Sequence, residues 1–187
     1  MTPSFAAHRS RSSRVGAVDR YPWNRLLAWG IDWLCIVVWV AITAAVGVPL
    51  YLSGVTTGLS LVALNVIASL ILVVPVTLGL AGLESSAREG SPGKRARRLR
   101  VVRFGTGARV SWRRTLARNA LKVAVPWTIG HAAAFNIVAS SGASTVPVQV
   151  WLLTAVAYAL PILYVMTLFV GSGRTPYDRI AGTTVVR

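Results

Sequence analysis

Two long blocks of the chain are free of ionised side chains. No Asp, Glu, Lys or Arg occurs from Trp33 to Leu83, nor from Val123 to Gly173. A helix rises about 1.5 Å per residue, so some 20 residues cross a hydrocarbon layer of roughly 30 Å. Each block has room for two spans and a short turn, and the pattern predicts four membrane-crossing helices. The first begins at Tyr21-Pro22-Trp23, where Pro22 precedes the helix and two aromatics suit the headgroup level, and runs to about Tyr51. Ser53 to Gly58 is an uncharged turn, and the second helix covers about Leu59 to Leu83 with Asn65 and Pro75 inside it. Arg114, Arg118 and Lys122 sit four apart, one stripe at the start of a third helix that continues through Pro126 and His131 to about Ser140. After the uncharged turn Ser141 to Pro147, the fourth helix spans about Val148 to Val170 and contains Pro161. The three internal prolines are expected to kink their helices, and His131 to hydrogen-bond Asn65 or Asn136.

Between the second and third helices the pattern changes. From Glu84 to Lys122 the chain is polar and strongly basic. Leu99 and Val101 alternate with Arg98 and Arg100; beyond Gly105-Thr106-Gly107, Ala108, Val110 and Trp112 alternate with Arg109, Ser111 and Arg113. Period two on both sides of a glycine-containing turn predicts a small hairpin on the membrane surface. Residues 1–20, rich in Arg and Ser with little to bury, are expected to form a disordered basic tail, which leaves 21–187 as the membrane domain.

Composition supports this division. Of 187 residues, 54% are hydrophobic and 13% charged, where a soluble domain carries about 25% charged residues. An all-α integral membrane protein is the class that fits. The net charge of +15 comes from 20 Lys and Arg against 5 Asp and Glu, and its placement sets the topology. All basic residues fall before or at the start of the first helix, in the central loop with the start of the third helix, or in the C-terminal tail; the other two turns have none. Positive charge stays on the cytoplasmic side, so both termini and the basic loop are expected there. Lys94, Arg95, Arg97, Arg98, Arg100 and Arg103 are expected to face anionic lipid headgroups, each gaining about 1 kcal/mol. Aromatic interleaving is sparse in this loop (Phe104, Trp112), which argues against nucleic acid as a partner. With one cysteine, Cys35, and two histidines, the chain offers neither an internal disulfide nor a zinc site. Gly90-Ser91-Pro92-Gly93-Lys94 has the wrong spacing for a phosphate-binding loop, and no nucleophile–base spacing stands out. Neither an enzyme nor a bound cofactor is expected.

One carboxylate lies inside a predicted span. A carboxylate inside such a segment costs about 2.5–3.5 kcal/mol on insertion scales, and Asp32, about 9 Å below the cytoplasmic interface by the helical rise, needs a partner, a wet cavity or a role. Arg25 lies seven residues earlier on the same face, about 10.5 Å away along the axis, and helical side chains lean toward the N-terminus, which takes it away from Asp32. Arg118 and Lys122, at similar depth on the third helix, are the candidate partners. A structural ion pair and a proton- or cation-binding carboxylate are both open readings. Asp178, flanked by Arg174 and Arg179, is either a solvated charge or folds back onto the basic loop and closes the cytoplasmic face.

Several motifs occur in order: Arg25 with Asp32, Gly90-Ser91-Pro92-Gly93-Lys94 followed by Leu99-Arg100-Val101-Val102, Leu116-Ala117-Arg118-Asn119, and Tyr177-Asp178-Arg179-Ile180-Ala181-Gly182-Thr183. Together they resemble the RDD family of small bacterial membrane proteins, named for an Arg and two Asp. The resemblance covers about Tyr21 to Val186 and implies that Arg25 and Asp32 are the Arg and first Asp, with Asp178 the second. Arg95-Ala96-Arg97-Arg98 departs from the family pattern of an apolar pair and Gly, making this loop unusually basic. The resemblance implies a multi-pass protein of the bacterial inner membrane. The expected function is that of a small transporter, ion exchanger or transporter component, with Asp32 as the ion or proton site. The alternative is a non-catalytic scaffold whose basic loop docks anionic lipid or a protein partner. Four spans are few for a lone carrier, so the transport reading implies a homo-oligomer or a membrane-protein partner.

Overall fold

The computed structural model describes residues 22–187; the expected disordered tail, 1–20, lies outside them. The structure is mostly helical. Helix α1 (Pro22–Leu52) starts at its proline, whose missing N–H and fixed φ suit a first helical position. Its buried residues Arg25, Ala28, Asp32 and Ile36 recur every three or four positions and form one inward stripe. The remaining faces are apolar and exposed: Leu34 and Val38 keep 69% and 60% of their surface. A water-soluble helix would show the opposite arrangement.

Helix α2 (Leu61–Ser85) is capped by Ser60, whose hydroxyl accepts from the Ala63 N–H at 3.2 Å. It widens into a π-helical turn at Ser69–Val73, just ahead of Val74-Pro75. The third long helix, α4 (112–139), repeats the device: a π-helical turn at Ala120–Ala124 precedes Val125-Pro126. Proline removes an N–H and leaves carbonyls in the preceding turn without their donor. Neighbouring helices supply substitutes. Trp39 Nε1 donates to the Ile71 carbonyl at 3.2 Å, and Tyr164 Oη donates to the Leu121 carbonyl at 2.9 Å. Helix α5 (Val148–Phe169) contains Pro161, and Val150 is its buried residue.

Three of these helices, α1, α2 and α5, are long and apolar enough to cross a membrane. Helix α4 is of similar length, but its first turns carry Arg113, Arg114, Arg118 and Lys122. The T-shaped contact of Trp23 with Phe169, ring centres 5.5 Å apart, places the start of α1 beside the end of α5. The end of α2 meets the start of α4 through Glu84 and Asn119.

A cap of loop and tail covers this end of the bundle. It comprises the short helix α3 (Pro92–Ala96), strand β1 (Arg100–Arg103), the short helix α6 (Pro176–Ile180) and strand β2 (Thr183–Val186). β1 pairs antiparallel with β2, Val101 opposite Val185 and Arg103 opposite Thr183. The hairpin expected within the loop is present only in part: the Arg103 N–H donates to the Ala108 carbonyl at 2.8 Å, but the longer partner of β1 is the C-terminal tail. Ala108 to Trp112 contributes a single bridge, Val102 to Arg109, before α4 begins at Trp112. The β-branched run Thr183-Thr184-Val185-Val186 makes the better partner, and Val185 closes a small apolar core with Ala28 and Leu99.

Candidate functional site

Asp32 lies on the inward stripe of α1, where α3 presses against it. Asp32 Oδ1 accepts from the Gly93 N–H at 2.8 Å and Oδ2 from the Ser91 hydroxyl at 2.6 Å. Gly93 is the second residue of α3, so its N–H has no acceptor within that helix. Asp32 supplies one from another helix. A Cβ at Gly93 would overlap the Ala28 carbonyl, so only glycine allows α1 and α3 to meet backbone to backbone.

Glu84, at the end of α2, is fully buried. Lys94 Nζ donates to its Oε1 at 2.6 Å, while Arg118 Nη1 and Asn119 Nδ2 reach Oε2 at 2.6 and 2.9 Å. Lys94 Nζ also donates to Ser91 Oγ at 3.2 Å. Burial draws the Lys94 ammonium down to about 8, against the opposing pull of Glu84.

Asp178 is also fully buried, at the third position of α6 behind its N-cap Thr175. It accepts from Arg25 Nη2 at 2.6 Å, Arg118 Nε at 2.7 Å, Thr175 Oγ1 at 2.8 Å and Thr183 Oγ1 at 3.1 Å. Burial pushes its carboxyl up, but the Arg118 and Arg25 guanidinium groups outweigh that and hold it well below the usual carboxylate range. Arg25 donates in addition to the Gly173 carbonyl. The Arg118 guanidinium bridges both carboxylates and lies 5.3 Å from the centre of the Tyr177 ring.

These contacts form one connected chain: Asp32, Ser91, Lys94, Glu84, Arg118, Asp178, Arg25. It joins α1, α2, α3, α4 and α6. Arg25 and Asp178, far apart in sequence, are brought into a direct pair; Asp32 belongs to the same network at its other end. The expectation that Arg118 or Lys122 pairs with Asp32 is corrected. Arg118 serves Glu84 and Asp178, and Asp32 is met by an N–H and a hydroxyl. Of the loop residues expected at the lipid surface, Lys94 is buried on Glu84, and Arg97 is half-buried and donates to Asn24. Arg95, Arg98, Arg100 and Arg103 are exposed. His131 accepts from Trp127 Nε1 at 2.8 Å rather than bonding Asn65 or Asn136.

Glu84 was not singled out by sequence reasoning. Its signal was its position, directly after a predicted span and one of only 5 acidic residues in the chain.

Beneath the network, between α1, α4 and α5, lies a cavity of about 270 Å³. Arg25, Asp32, Lys94 and Arg118 stand at its charged end, and Lys122 also lines it. Its other walls are apolar and aromatic, among them Trp29, Trp33 and Trp127. Trp33 and Trp127 pack with ring centres 5.6 Å apart, so α1 and α4 lean together at this level.

The search of curated proteins and that of solved structures each gave no match. The model of the RDD family matches residues 20–182, which take in every member of the charged network, and the chain belongs to that family.

Proposed function

We propose that this is a four-span protein of the bacterial inner membrane, with both termini cytoplasmic, acting in transport as a small ion exchanger or a component of one. The observation that carries the reading is the hydrogen-bonded run Lys94–Ser91–Asp32 opening onto the cavity. A carboxylate, a hydroxyl and an ammonium drawn down to about 8 can pass a proton between them without large movement. The cap supports the same reading: it closes the charged end of the bundle, so exchange requires it to shift, and the π-helical turns beside Pro75 and Pro126 give α2 and α4 places to bend. In this topology α4 is the third crossing, with its Arg and Lys at the cytoplasmic mouth. Four spans are few for a lone carrier, so the working form is a homo-oligomer or a complex with a membrane partner. No catalysed reaction is assigned to it.

The test is ion flux in vesicles holding the purified protein. A pH step is expected to drive sodium- or proton-coupled flux that Asp32→Asn abolishes while leaving the protein folded. Flux no greater than in empty vesicles removes the transport reading. The second reading, a scaffold on anionic lipid, is favoured by the exposed Arg95, Arg98, Arg100 and Arg103 on the cap. It predicts salt-sensitive retention of the detached loop-and-tail surface on anionic vesicles, with no flux.

A further inference from the structure

We infer that the cavity holds a monoanionic amphiphile drawn from the bilayer, a carboxylate or phosphate diester on an aliphatic chain, with Lys122 as the contact for its head. The inference rests on the reading of this cavity as the working site and names the class of molecule it takes. Charge balance is the first observation. Around the cavity stand four cations, Arg25, Lys94, Arg118 and Lys122, against three carboxylates, Asp32, Glu84 and Asp178. Arg25, Lys94 and Arg118 are each paired with a carboxylate. Every carboxylate already accepts two or more hydrogen bonds. The Lys122 side chain makes no hydrogen bond among the described residues, and it is half-buried on the cavity wall. Asp32, Glu84 and Asp178 all lie near enough to attract the Lys122 ammonium, but each is already held by other donors, so the count leaves one positive charge over and one anion would complete the balance.

The position of Lys122 is the second observation. It sits in the π-helical turn Ala120–Ala124, with Pro126 lining the same cavity. The extra residue of such a turn displaces its side chains from regular helical register, a feature common at functional sites.

The walls decide between an amphiphile and a small soluble anion. Apart from the charged end they are aliphatic and aromatic, and two of them, Trp29 and Trp33, remain 41% and 37% exposed on the outer, apolar surface of α1. The cavity wall thus continues into the surface that meets lipid chains. A volume of about 270 Å³ compares with about 30 Å³ for each water in the liquid. That is room for one headgroup and the start of a chain, with the rest extending into the bilayer. The three tryptophans also provide the readout.

Purified protein in mild detergent is titrated with brominated dodecanoate while tryptophan emission is followed. Saturable quenching is expected, reversed by plain dodecanoate and far less by dodecanol. Lys122→Gln is expected to weaken binding about tenfold or more, as loss of a charged hydrogen bond does, and Lys122→Arg to retain it. Val165→Trp fills the cavity from α5 without altering any charge and is expected to abolish quenching; it serves should Lys122→Gln fail to fold. Equal competition by dodecanol, unchanged binding in folded Lys122→Gln, or displacement by acetate or inorganic phosphate as effective as by dodecanoate would each overturn the proposal. Binding is read without flux, so absent flux with intact binding counts against transport alone, and absent binding with intact flux counts against this site alone.

Discussion

Asp178 carries the largest share of the network's bonds. Two guanidinium groups and two threonine hydroxyls converge on its oxygens, so replacing it leaves Arg25 and part of Arg118 buried without a counter-charge. Breaking a buried pair from one side costs about 3–5 kcal/mol, and Asp178→Asn is expected to lower the melting temperature in detergent by a corresponding amount. The pH dependence follows from the direction of the carboxyl's shift. Its folded value lies below its unfolded one, so the stabilisation is fully present above the ordinary carboxylate value of 3.8 and lost as pH falls below it. The gap between wild type and Asp178→Asn should be constant from pH 5 to pH 8 and narrow below about pH 4. A gap that closed already near pH 6 would show that the carboxyl is not held by its arginines. Asp32→Asn should cost less, because an amide oxygen still accepts from the Gly93 N–H, which is why that variant suits a test of flux rather than of folding.

At the level of elements, the loop and tail depend on one another. Val185 is 1% exposed, opposite Val101 in the strand pair and against Ala28 and Leu99. A carboxylate there has no partner, so Val185→Asp should detach β2 and uncover the loop. Limited trypsin digestion should then cut after Arg100 or Arg103 at least several times faster than in wild type, while Val186→Asp, at a less buried position, should change little. Unaltered cleavage in Val185→Asp would mean that β2 does not protect β1. The sequence pattern carried the long helices well, since apolar runs of this length have few other solutions. It did not carry the partner of β1, because Ala108 to Trp112 alternates with period two while Thr183-Thr184-Val185-Val186 does not, and burial of Val185 decides for the tail. The partner of Asp32 was hidden for a different reason. A charge pattern points to cations at matching depth, whereas an N–H and a hydroxyl leave no mark in it. Lys94 was misread because a loop rich in arginine suggests a solvated surface, and a single lysine reaching inward to Glu84 looks no different in sequence from its exposed neighbours.

For the whole molecule, the two ends of the helical bundle differ in kind. At one end the start of α1, the end of α2 and the start of α4 are bound by buried charge and covered by paired strands, with the end of α5 alongside. At the other end lie the two turns 53–60 and 140–147, neutral and joined to their helices by local hydrogen bonds such as Ser53 N–H to the Pro49 carbonyl and Ser140 N–H to the Asn136 carbonyl. An uncharged turn crosses a bilayer far more readily than a segment with many arginines, so the proposed orientation has a kinetic as well as an equilibrium reason. It makes a direct prediction. With Cys35→Ala as background, cysteine is introduced at the exposed positions Thr57, Ser144 and Thr106. A membrane-impermeant maleimide added to intact cells should label Thr57→Cys and Ser144→Cys, and should reach Thr106→Cys only after the membrane is opened. Labelling of Thr57 without Ser144 would mean that α4 and α5 do not both cross, which the three strongly apolar helices alone leave open. Labelling of Thr106 from outside would reverse the orientation, place the charged network at the outer surface, and remove the cytoplasmic mouth on which the transport reading depends.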